Sequence, residues 1–288
     1  MISALAIFCL SPFQFAGYVM SRYICATCAA QFAESDSPPA ACPICDDERQ
    51  YVGWDGQQWT TLDDLRADHR TLIKEEEPNL IGIGVEPAFA INQRALLVQT
   101  PEGNALWEAS PFIDDAAIEA VRAHGGIRAI AISHPHMAAS MVEWSHAFDH
   151  APIYLHATDR AWVQRPDPAI VHWEGDTHAL GDGLTLIHCG GHFEGSAALH
   201  WQSGAEGRGA LLAGDTLYVT QDRRHVSFMR SYPNHIPLNA AAVRHVAAMV
   251  EPYPYDRIYS AWFGRAIVSD AKAAVKRSAE RYIQAIGG

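Results

Sequence analysis

Four cysteines fall in one short stretch, as Cys25-x2-Cys28 and, after thirteen intervening residues, Cys42-x2-Cys45. Each CxxC turn aims two thiolates at one point, and two such turns close a tetrahedral shell of four sulfurs around one ion. The connecting Glu34-Ser35-Asp36-Ser37-Pro38-Pro39-Ala40 is the polar, proline-containing loop that joins such turns. A pair of disulfides is the alternative, and a chain whose start lacks an export signal disfavours it. The unit is too short for a large core, so the ion is expected to supply much of its folding energy. A second set of donors is spread further along the chain. It comprises His134 and His136 in Ser133-His134-Pro135-His136-Met137-Ala138-Ala139-Ser140, His192 in Gly191-His192-Phe193-Glu194-Gly195-Ser196, and Asp215 in Gly214-Asp215-Thr216. Three imidazoles are a zinc-type ligand set, and each segment lies at or just after an expected strand, where a scaffold presents functional side chains.

The elements that must position these residues are legible from Leu80 onward. Leu80–Gly84, Phe89–Asn92, Ala95–Gln99 and Asn104–Ala109 read as short strands of a meander. A helix follows over Asp114–Gly126, opened by Asp114 or Asp115 and closed by Gly125-Gly126. Ile127–Ser133 is a buried strand running into His134. Next come a helix over Ser140–Phe148, a strand over Pro152–His156, a helix over Asp159–Gln164 and strands near Val171 and Leu184–His188. Ala198–Trp201 and Gly209–Asp215 continue as strands, Asn239–Val250 is a helix, Asp256–Phe263 a strand and Asp270–Ile286 a closing helix. The chain thus divides into an apolar leader at 1–19, a four-cysteine module at 20–55, a linker at 56–79 and an α/β domain at 80–288.

The 288 residues are ample for a sizeable core. With a net charge of −12 and no Lys/Arg run, the surface disfavours nucleic acid and anionic membranes, leaving a small-molecule substrate as the expected partner. The first twenty residues contain no Lys or Arg and are interrupted by Ser11, Pro12 and Gln14, so they fit neither a secretory signal nor a membrane span. Translation is expected to begin at Met20, with an export or membrane segment as the alternative, and a cytoplasmic location follows from the first reading.

The cysteine module resembles zinc ribbons and rubredoxin-like units through Tyr23-Ile24-Cys25 and Cys42-Pro43-Ile44-Cys45. The chain from Leu80 resembles the metallo-β-lactamase superfamily. The family's His-x-His-x-Asp-His reads His134-Pro135-His136-Met137-Ala138-Ala139, its Gly-His-x-x-Gly-Ser reads Gly191–Ser196, and its Gly-Asp-Thr reads Gly214-Asp215-Thr216. Its late histidine aligns with Phe263, and an early Asp with Glu108. The resemblance implies an αββα four-layer sandwich preceded by the small metal module. It implies one ion held by His134, His136, His192 and Asp215, whereas the second ion's ligands are replaced by Ala138, Ala139 and Phe263. All three losses fall on the same ion.

One zinc there implies a mononuclear hydrolase that uses a metal-bound water on an ester, thioester or related carbonyl, with Asp215 orienting the water or taking its proton. Zinc is expected in both sites, and four thiolates accept iron as readily. An iron-dependent redox or sulfur-oxidising enzyme is therefore the alternative, and a non-catalytic metal-binding interaction protein the third reading. Tyr218, Arg223, Arg224, Tyr232 and Arg265, in loops after Asp215 and after the last strand, are expected to bind substrate. His146 lies about 10 Å along a helix from Ala139, too far to ligate. His156, at a strand end, is expected beside the site rather than on the metal. His172, His178, His225 and His235 are expected to be solvated, and Cys189 to pack as a small buried residue. Tyr51, Trp54 and Trp59 are apolar enough to cover a neighbouring domain, subunit or protein partner of the four-cysteine module.

Overall fold

Two β-sheets lie face to face in the computed structural model, which describes residues 20–288. The 1–19 leader, and the expectation of a start at Met20, fall outside the described residues. Along the seven-stranded sheet the order follows the chain: Arg70–Glu77, Leu80–Glu86, Ala95–Val98, Ala105–Trp107, Ala129–Ala131, Ile153–His156 and Ile170–Trp173. The first four strands meander antiparallel, and pairing turns parallel from Ala105–Trp107 onward because helices now carry the crossovers. The six-stranded sheet runs Thr177–Gly181, Leu184–His188, Ala197–Trp201, Ala210–Gly214, Arg257–Ser260 and Ala266–Ile267.

Strand alternation divides the core into layers. Ala210 and Leu212 face the other sheet, beside Leu80, Trp107 and Leu199. Leu211 and Ala213 face Val243, Val246 and Val275 of the helices Ala240–Val250 and Ala271–Ala285. The outer face of the seven-stranded sheet is covered by Asp115–Ala123 and Met141–Ala147, through Ala117, Val121, Val142 and Trp144. Two outer cores and one between the sheets make the αββα sandwich. Asp114 caps its helix, its Oδ1 accepting from the Ala117 amide at 2.8 Å. No helix among the described residues is long and apolar enough to cross a membrane.

Three expectations are corrected. Phe89–Asn92 is a turn rather than a strand, with Ala90 and Asn92 at φ +51° and +56°, which no strand accommodates. The helix expected around Asp159–Gln164 is a 3-10 stretch, Ala157–Trp162. The stretch 56–79 is not a free linker. Trp59–Thr60 pairs with Ile24–Cys25, and Arg70–Glu77 forms the first strand of the large sheet. Its polar run of Lys74 to Glu77 concealed an edge strand, which needs apolar residues on one face only.

Candidate metal centres

The four cysteines form their own buried cluster with Ala30, Phe32 and Ile44. Cys25 Sγ lies 3.5 Å from Cys45 Sγ, and Cys28 Sγ 3.7 Å from Cys42 Sγ. No disulfide joins them. A tetrahedral zinc with Zn–S bonds of about 2.3 Å places its sulfurs roughly 3.8 Å apart, so the geometry is that of a metal shell. Sulfhydryls of Cys28, Cys42 and Cys45 directed at Cys25 hold its thiol far below the ordinary range, so the cluster already favours a thiolate. Gln57 Nε2 donates to the same sulfur at 3.1 Å.

The second cluster is assembled from three loops. His134 follows the strand Ala129–Ala131, and the 3-10 turn Pro135–Met137 swings His136 to the same side. His192 sits in the loop after Leu184–His188, and Asp215 directly follows Ala210–Gly214. These four residues bring one donor atom each to within 4.8 Å of one another, all buried. His192 Nε2 is 3.2 Å from His136 Nδ1, and His134 Nε2 is 3.0 Å from Asp215 Oδ1. That second pair is close but misaligned for hydrogen bonding, which leaves both atoms buried without a partner. Buried polar atoms that converge without partners in the protein suit a shared central cation. The donor set therefore fits a divalent metal.

Surrounding groups hold the ligands in place. Ser133 Oγ lies 2.7 Å from His134 Nδ1, and the Met229 carbonyl 3.0 Å from His192 Nδ1. Such contacts fix ring orientation and tautomer. Tyr232 donates its hydroxyl to the Asp215 carbonyl at 2.8 Å, and Gln93 Nε2 donates to the His136 carbonyl at 3.4 Å. Glu108 accepts the Ser133 amide at 3.1 Å. Gly214 has φ +56°, and a Cβ there would stand 2.7 Å from Ser133 Oγ and 2.8 Å from Glu108 Oε1. Only glycine lets Asp215 approach this closely. Phe193 packs against all three imidazoles, with ring centroids 5.5, 4.9 and 5.2 Å from His134, His136 and His192.

Burial lowers the pKa of His192 to about 4 and that of His136 well below its ordinary value, so both rings are neutral and free to ligate. Burial opposes charge on Asp215 and His134 too, but their mutual attraction outweighs it. The carboxyl stays well below its usual range and the imidazole above its own. Asp215 and His134 thus form a buried carboxylate–imidazole pair beside two neutral imidazoles.

His136, His192 and Asp215 open onto a cleft of about 830 Å³. Tyr218 and Tyr232 line it, although the Tyr232 hydroxyl is already used on Asp215. Arg223, Arg224 and Arg265 do not line it. The first two stand exposed on a turn beyond Asp222, and the guanidinium of Arg265 lies 5.7 Å from the Tyr218 ring. The cations that do reach the cleft are Arg49 and Arg281.

Phe263 does not face the site. Its ring lies over Gly82 and Gly84, where added Cβ atoms would stand 2.6 and 2.7 Å away. The cleft-facing residue of this loop is Trp262, whose Nε1 donates to the Ile91 carbonyl at 2.7 Å. Neighbouring residues leaving a strand point to opposite sides, so a shift of one position exchanges the two. Neither offers a ligand, and Ala138 and Ala139 border a void of only about 20 Å³.

His156 is turned away, 2.8 Å from Thr158 Oγ1 and stacked on His188. His146 pairs with Asp167 and His225 with Asp222, while His178 leans on Tyr154 and His172 is half-buried. Cys189 is fully buried and its thiol is pushed up to about 12. Trp59 packs edge-on against Phe32, Tyr51 lines the cleft, and Trp54 is wholly exposed. Sequence reasoning missed Arg49 and Trp262 and assigned no role to Phe193 or Met229, whose contacts cross long chain separations and leave no local pattern.

Sandwich and site together define a chain with the metallo-β-lactamase fold. Solved structures similar to it are VMB-1 (TM-score 0.57, 14% identity, 76% of this chain and 99% of that one) and TMB-1 (0.57, 11%, 75% and 99%). The DIM-1 metallo-β-lactamase is similar at TM-score 0.55 and 11% identity, over 75% of this chain and 98% of that one. At such identities the likeness is one of fold. No protein-family model matches the sequence. YmaE of Bacillus subtilis (strain 168) is 48% identical over 269 residues, 93% of this chain and 97% of that one, so the chain belongs to the family of YmaE.

Proposed function

We propose that the protein is a metal-dependent hydrolase with one zinc in the His134–His136–His192–Asp215 site, acting on an ester, thioester or related carbonyl of a small molecule. The observation that carries this reading is the convergence of four buried donor residues, three of them with an unpartnered atom and three of them lining a cleft of ligand size. An ion held there supplies Lewis acidity and lowers the pKa of water to about 7. Asp215, buried beside His134 and His192, would hold the ion with them and would orient a water at the site and take its proton. Ile91, Met229, Tyr218 and Trp262 give the substrate an apolar wall, and Tyr232 keeps Asp215 in position through its backbone. Alanines at 138 and 139 support a single ion, because no other His, Cys, Asp and Glu group among the described residues gathers around a second point there.

An iron-dependent oxidation is the second reading, favoured by a four-thiolate module whose Arg49 touches the His192 loop. Metal analysis of protein purified without added metal separates the two. Two zincs per chain are expected, one lost in Cys25→Ser and the other in His134→Ala. Iron with visible absorbance favours the second reading instead, and no ion beyond the one on the cysteines overturns both. On an ester and thioester panel, His192→Ala is expected to lower turnover by about a thousandfold or more, a loss of at least roughly 4 kcal/mol of barrier reduction. Activity surviving that substitution overturns the hydrolytic mechanism.

A further inference from the structure

We propose that Arg49, supplied by the four-cysteine module, is a positioning residue of the His/Asp site: it holds the loop that carries His192 in its metal-binding place. The inference rests on the reading that this site holds an ion, and it assigns the cysteine module a task at that site beyond its own folding. Arg49 follows closely on the second CxxC turn and is 3% exposed. Its guanidinium is gripped from its own module by Asp47. Nε donates to Oδ1 at 2.6 Å and Nη2 to Oδ2 at 3.0 Å, while Oδ1 also accepts the Arg49 amide at 2.9 Å. This fork fixes the plane of the group. The remaining edge faces the His192 loop, with Nη1 3.1 Å from Glu194 Oε2 and 3.5 Å from the His192 carbonyl.

The flat face of the guanidinium lies over the Phe193 ring, 3.8 Å from its centroid, and the same ring packs against all three imidazoles. Cation–π contact strengthens when both groups are desolvated, as here. Asp47, Arg49 and Phe193 thus form a continuous line from the cysteine turn to the imidazoles. Nε, Nη1 and Nη2 are all bonded within the protein, which assigns Arg49 to positioning rather than to substrate. The module is anchored beside this line as well: Asn234 Nδ2 donates to the Glu48 and Gln50 carbonyls, both at 2.9 Å. Gly195 completes the loop's support by donating its amide to Asp159 at 2.9 Å.

The test is zinc affinity measured separately at the two sites of the full chain. The His/Asp site is read by chelator competition, and the cysteine-held zinc is released afterwards with an organomercurial. Arg49→Gln is expected to weaken the His/Asp site by about 10–100-fold, the usual effect of removing a group that orients a ligand, with the cysteine site changed less than twofold. Asp47→Asn, a milder change at a partly exposed side chain, is expected to weaken the same site several-fold, and it carries the test if Arg49→Gln does not fold. A His/Asp affinity within twofold of wild type in the folded variant overturns the proposal, as does equal weakening of both sites. Wild-type protein that binds no zinc at the His/Asp site instead overturns the metal-site reading itself.

Discussion

The two clusters each gather four donors, yet they are built in opposite ways. The cysteine cluster draws all its ligands from Cys25 to Cys45, on two local turns, and is sealed among Ile44, Ala30 and Phe32. The His/Asp cluster draws its ligands from His134 to Asp215, on three loops, and three of its residues line a cleft. A closed shell of thiolates stabilises structure, whereas a shell with an open side leaves room for chemistry. Arg49 connects the two, so the closed site also helps to shape the open one.

The largest expected break in this comparison is Cys42→Ser. Ion binding by small four-ligand modules contributes on the order of 10 kcal/mol of folding energy. Limited proteolysis of the variant is expected to cut rapidly within residues 20–60 while the sandwich stays protected. Equal protection of both regions would erase the distinction between a metal-folded module and a core-folded domain.

A smaller effect separates the clusters by pH. Burial pushes Glu108, beneath His134, up to about 7 from an ordinary 4.5. An acid that keeps its proton in the native state while the unfolded chain releases it costs stability as pH rises. That loss develops between about 4.5 and 7 and persists above. Chelated Glu108→Gln protein is therefore expected to gain stability over chelated wild type across this window, by up to about 3 kcal/mol. His136 and His192 impose the opposite slope in both proteins, so the difference between the two denaturation curves isolates Glu108; parallel curves would show that its carboxyl is not held protonated. Smallest is Tyr232→Phe, which removes the bond to the Asp215 carbonyl. It is expected to cost about 1 kcal/mol in chemical denaturation, with the cysteine site unaffected.

Much of this was legible in the chain. The paired CxxC turns stand out by residue type and spacing, the His/Asp donors through their resemblance to family motifs, and the strands leading to His134, His192 and Asp215 through apolar runs bounded by turns. The misses share a cause. The edge strand Arg70–Glu77 is too polar to stand out, Phe263 and Trp262 exchange faces on a one-residue shift, and a loop position shortly after Asp215 does not decide whether Arg223 and Arg224 line the cleft.

By itself, the sequence supplied the candidate donors and most of the strands and helices that carry them, because residue chemistry and strand periodicity are local properties; the four-layer sandwich and the meaning of Ala138 and Ala139 came from the resemblance of its motifs to a known family. Only the tertiary structure decided that Arg49 of the cysteine module braces His192, that Trp262 rather than Phe263 faces the cleft, and that Phe193 underlies all three imidazoles. Those pairings join residues far apart in the chain, and they exist only once burial has brought their surfaces together.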